Sequence, residues 1–73
     1  MTFDELLDKA CAVAGLPNTA RLQLPNSLSA ETKNMVVILS PDELGCVLSE
    51  AIDAVNHGSV ESIDSLVRER VVR

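Results

Sequence analysis

Apolar residues recur at helical spacing in three stretches of this chain, and those stretches set the expected framework. In the first, Phe3, Leu6, Leu7, Ala10 and Ala14 fall on one face of a helix. Thr2 and Glu5 have the spacing of a capping box, and Asp4, Glu5 and Asp8 lie toward the positive end of the helix dipole. Gly15 supplies a C-cap, with Leu16 placed for the apolar contact that accompanies one. The spacing predicts an N-terminal helix within residues 1–16. In the second stretch Leu44, Val47, Leu48, Ala51, Ile52 and Val55 follow the same period. Ser40 is placed as its N-cap, Pro41 at the first helical position and Glu43 as the partner in a second capping box. Asn56-His57-Gly58 ends that helix, and Ser59 is placed to cap a third. There Val60, Ile63, Leu66, Val67 and Val71 are expected inside, with Glu61, Asp64, Arg68, Glu69 and Arg70 in water. The last two helices read as a hairpin closed by a short glycine turn.

Between these helices the pattern changes. Residues 17–34 carry Pro17, Pro25 and several Asn and Ser residues, so they read as loop; Leu22 and Leu24 alternate with Arg21 and Gln23 as a short strand at best. Leu28 is expected to pin this loop to the core. Met35, Val36, Val37, Ile38 and Leu39 form a continuous apolar run, and the residue before Pro41 is held away from helical geometry. The preferred reading is a strand over 35–39; the competing one is a helix from Ser29 through Leu39. The expected fold is α+β and mostly helical: one domain over 1–73, with an N-terminal helix (1–16), a loop (17–34) and a strand–helix–helix unit (35–73).

Length and composition bear on assembly. The chain has 73 residues, 47% of them hydrophobic, and Phe3 is its single aromatic residue. A domain this short buries only about 60% of its unfolded surface, and a core of Leu, Val, Ile, Ala and Met offers little bulk per residue. With an unpaired apolar strand, that predicts a homodimer paired through 35–39. Two cysteines do not make a secreted disulfide framework. No basic n-region follows Met1, and no apolar run reaches the length of a membrane span, so the expectation is a cytoplasmic protein off the membrane.

Candidate chemistry is sparse. Cys11, Cys46 and His57 are the available soft ligands or thiol–imidazole partners. Cys46 and His57, on one helix, are about 16 Å apart along its axis, too far for a shared zinc or a nucleophile–base pair. The cysteines are expected to be buried hydrophobes, with no metal and no cofactor. Gly15, Gly45 and Gly58 are isolated, so no phosphate-binding loop is present. Asp42, Glu43, Glu50 and Asp53 line the outer face of the second apolar-periodic helix with no base among them. With six Lys and Arg against eleven Asp and Glu, net charge −5, this stripe favours a partner protein with a basic surface over nucleic acid.

The segments KNMVVILSPDEL and GSVESIDSLVRERV, within residues 33–72, resemble the ribbon-helix-helix family of dimeric repressors and antitoxins. Gly58, Val60, Ser62 and Val67-Arg68 match the rhythm of that family's turn and second helix. The resemblance implies a dimer strand with Met35, Val37 and Leu39 in the core, and Lys33, Asn34, Val36 and Ile38 toward DNA. Groove readout needs hydrogen-bonding side chains, whereas Val36 and Ile38 are apolar. The preferred expectation is therefore a small acidic, non-enzymatic regulator or adaptor acting through protein–protein contact. The alternative is a dimeric DNA-binding repressor or antitoxin.

Overall fold

The computed structural model describes residues 2–72. Five helices follow one another: α1 (Phe3–Ala14), α2 (Asn18–Ser27), α3 (Ala30–Val36), α4 (Pro41–Asn56) and α5 (Ile63–Val71). Among the described residues there is no strand, so the fold is all-helical and the α+β expectation is overturned.

The cap signals account for the helix ends. Thr2, Ser40 and Ser62 each accept a hydrogen bond from the backbone N–H three residues on, starting α1, α4 and α5. Ser62, not Ser59, caps the last helix, and Val60 is left fully exposed in the connection instead of facing inward. α1 ends with Leu16 N–H donating to the Cys11 carbonyl, and α4 with Ser59 N–H donating to the Ala54 carbonyl. Both endings turn through a left-handed glycine, Gly15 (φ 70°) and Gly58 (φ 92°).

The expected loop over 17–34 is instead α2 and most of α3. Pro25 lies near the end of α2 and removes one backbone bond there. The helix still closes, with Leu28 N–H donating to the Leu24 carbonyl (3.1 Å) and Ser27 Oγ to the Gln23 carbonyl (3.1 Å). Leu24 and Leu28 are buried and Leu22 is exposed.

The expected strand fails on its burial pattern. A strand over 35–39 would bury Met35, Val37 and Leu39 together. Val36 is instead fully buried, while Val37 and Ile38 are 43% and 81% exposed. Leu28, Thr32 and Val36 are the buried set, spaced by four, which is a helical period. Ser29 caps α3 by accepting from Thr32 N–H, so the competing helix reading holds as far as Val36. Val37–Leu39 then turn, closed by Leu39 N–H on the Val36 carbonyl. Ser40 before Pro41 is extended (φ −73°, ψ 160°).

The core lies where α1 crosses α4, with α5 against α4 and α3, and α2 at the edge of α1. Leu6, Leu7 and Ala10 of α1, Leu44, Leu48 and Ala51 of α4, Val36 of α3 and Val67 of α5 belong to one buried cluster. Gly45 makes this crossing close: a Cβ there would sit 3.0 Å from the Ala10 carbonyl oxygen and 3.4 Å from the Ala14 Cβ. The radius of gyration is 10.9 Å, against about 11 Å for a compact domain of this length.

Candidate functional site

The acidic residues singled out above all lie on the exposed face of α4. Leu44, Leu48 and Ala51 define its buried face. At about 100° per residue, Asp42, Glu43, Glu50 and Asp53 fall on the side turned away from it, and all four are exposed. Glu43 is partly used within its own capping box, where its N–H and carboxylate both meet Ser40 Oγ (3.2 and 3.1 Å). Glu50 lies 4.0 Å from Arg70 Nε. Asp42 and Asp53 have no cationic partner among the described residues.

Among the described residues Arg21, Arg68, Arg70 and Lys33 have partners within the chain, and Lys9 makes no ion pair. Arg21 binds Asp8 and lies 3.8 Å from Asp4, and both carboxylates, with the hydrogen bond to Asp8 foremost, push its pKa up. Arg68 sits between Glu31 (3.5 Å) and Asp64 (3.9 Å). Arg70 donates to the Leu66 carbonyl (3.1 Å) as well as approaching Glu50. Lys33 stands 5.7 Å from the centre of the Phe3 ring. Lys33, expected to face DNA, is thus turned to α1. Asn34 and Met35 lie on α3, Val36 is core, and Val37, Ile38 and Leu39 form the α3–α4 turn. The ribbon that would have brought these positions together is not formed.

Cys46 and His57 share the acidic face and are exposed; His57 Nδ1 is 2.7 Å from the Asp53 carbonyl. Cys11 is buried, and that burial raises its pKa. The expectation of two buried cysteines therefore holds for Cys11 alone. No group of three or more His, Cys, Asp or Glu among the described residues is arranged to hold a metal.

Two features were missed in the sequence. Asp64 was assigned to water, yet its Oδ1 accepts from Ser29 N–H (2.8 Å) and from the fully buried Thr32 hydroxyl (2.6 Å). These bonds hold its pKa below the usual carboxylate value, the Ser29 N–H contributing most. Asp64 thereby ties α5 to the start of α3. The second is a groove of about 180 Å³ at the C-terminal end of α4, floored by Leu24, Ile52, Val55 and Ile63 and rimmed by Gln23, Ser27 and Asn56. It forms because α2 packs on α1 and leaves the α4 side partly open. Ile52, on the apolar stripe of α4, lies in this groove and is only partly buried. No described helix is long and apolar enough to cross a membrane. No protein-family model matches the chain, and searches of curated proteins and of solved structures find no match to it.

Proposed function

We propose that this chain is a small, non-enzymatic protein-binding module of the cytoplasm, presenting the outer face of α4 to a partner with a basic surface. The observation that carries this reading is the division of charge. Arg21 and Arg68 are paired with carboxylates away from α4 and Arg70 only approaches Glu50 at 4.0 Å, while Asp42 and Asp53 face solvent uncompensated. A negative face of this kind steers a cationic partner and disfavours a nucleic-acid backbone. The exposed free thiol of Cys46 fits a reducing compartment. The dimer expected from strand pairing has lost its strand.

The test is a pulldown with the native chain and with the double variant Glu50→Lys, Asp53→Lys, alongside a titration with random duplex DNA. The expected result is a basic-surfaced protein captured by the native chain and lost with the variant, and no DNA binding at about 150 mM salt. Equal capture by both chains refutes the assignment to α4. Sub-micromolar duplex binding with a steep salt dependence refutes the class of function.

A further inference from the structure

We infer that the groove between α2, α4 and α5 receives an apolar side chain from a cationic amphipathic segment of the partner, an inference that rests on the protein-binding reading above. The groove is uncharged: apolar side chains floor it, and its polar rim is two amides and a hydroxyl, Gln23, Asn56 and Ser27. At about 180 Å³ it is close to the roughly 150 Å³ apolar cavity that holds a benzene. That is room for one aromatic or branched aliphatic anchor, not for a whole helix face. This chain has one aromatic residue to offer, and Phe3 is packed against the core of its own chain under Lys33.

The charges beside the groove select the rest of the occupant. Asp53 is one helical step from the rim residue Asn56, and residues at that spacing are neighbours, with Cβ atoms about 5–6 Å apart. α4 has no Lys or Arg in its last turn, so no full positive charge stands at the negative end of its dipole. Glu61 precedes Ile63 in the exposed connection. Arg21, adjacent in sequence to Ala20 of the groove lining, is bound to Asp8 and Asp4. An apolar slot with an acidic border fits a segment carrying an apolar anchor flanked by Lys or Arg.

The experiment uses three synthetic helical peptides of equal length, Leu/Lys, Ser/Lys and Leu/Glu, titrated into the full chain and followed by amide NMR shifts. The Leu/Lys peptide is expected to bind and to shift Ala20, Ser27, Asn56 and Ile63. Affinity should fall at least about tenfold for the Ser/Lys peptide, and equally for the variant Ser27→Trp, whose indole fills the groove. Circular dichroism establishes that this variant remains folded, and Ala20→Phe fills the slot from the other end of α2 as a second reading. Equal binding of Leu/Lys and Ser/Lys peptides sinks the groove and leaves the acidic face intact. Equal binding of Leu/Glu sinks the cationic occupant. Self-association that vanishes with Val60→Ser makes a second copy the occupant, through a valine that is fully exposed. Failure of every cationic peptide sinks the groove proposal, and the pulldown above then decides the protein-binding reading separately.

Discussion

Replacing Asp64 tests whether a carboxylate on α5 holds α3 in place. Its Oδ1 receives Ser29 N–H at 2.8 Å and Thr32 Oγ1 at 2.6 Å, across 35 and 32 residues of chain. Hydrogen bonds to a charged group are worth about 1.5–3 kcal/mol each, but both cannot be counted in full. Ser29 is exposed, so water can replace the carboxylate at its N–H. Thr32 keeps a second partner, Ser29 Oγ at 3.0 Å. The ion pair with Arg68 is long and lies at the surface, where such pairs add little. Asp64→Ala is therefore expected to cost about 2 kcal/mol. For a chain whose total stability is roughly 4–11 kcal/mol, that lowers Tm by about 8–16 °C.

The pH dependence gives an independent check with a definite sign. The folded pKa of Asp64 is depressed below its usual value of 3.8, first by Ser29 N–H and then by the Thr32 hydroxyl. The folded state thus holds its proton less tightly than the unfolded state. The contribution is complete above the unfolded value, about 3.9, and is lost as pH falls through the folded one. Urea denaturation followed by circular dichroism should show wild type well above Asp64→Asn at neutral pH. Their stabilities should converge as pH drops below about 4. A difference within about 0.5 kcal/mol at neutral pH, the ordinary range for surface substitutions, or one that persists unchanged into acid, refutes the tether.

Further outcomes follow from the packing. Gly45→Ala gains about 1 kcal/mol of helix propensity, but its Cβ meets the Ala10 carbonyl at 3.0 Å and overpacking costs about 1–3 kcal/mol; a net loss is expected in urea denaturation, larger for Gly45→Leu, and a more stable Gly45→Ala refutes the close crossing. Leu48→Ala, at a fully buried position, should cost about 2–5 kcal/mol, and Ile52→Ala clearly less; equal losses in the same denaturation assay refute the placement of Ile52 in an open groove. A thiol-specific label should modify Cys46 in the native protein and Cys11 only on unfolding, as their exposure requires; mass spectrometry showing equal labelling of both refutes the burial of Cys11.

Local signals in this sequence were legible because their partners lie within a few residues. Thr2 with Glu5 and Ser40 with Glu43 each place cap and donor one turn apart, and Gly15 and Gly58 close helices at the expected positions. The run Met35–Leu39 was misread because β-branched residues describe a side-chain preference, and that preference yields to where backbone hydrogen bonds can be made. A strand needs a partner strand, and the only other alternating segment, around Leu22 and Leu24, is helical. The decisive signal was the spacing of Leu28, Thr32 and Val36 behind the cap Ser29, which a window confined to the apolar run leaves out.

The site divides along the same line. The acidic face of α4 was readable because helical period alone places Asp42, Glu43, Glu50 and Asp53 opposite Leu44, Leu48 and Ala51. Its groove was not, since it depends on α2, a helix with proline near its end and a single buried residue, Leu24. A helix with so little to bury packs loosely, and its main neighbour is α1. The opening toward α4 and α5 is the consequence, and it exposes part of Ile52 and Val55. Both continue the apolar stripe of α4, so the pattern that marks a core helix also floors a docking slot. Which of those roles a given residue takes is set by the helix across from it. Replacing exposed residues of α2 with stronger helix formers should leave the slot open; placing large apolar residues at Ala20 or Ser27 should close it and raise stability together.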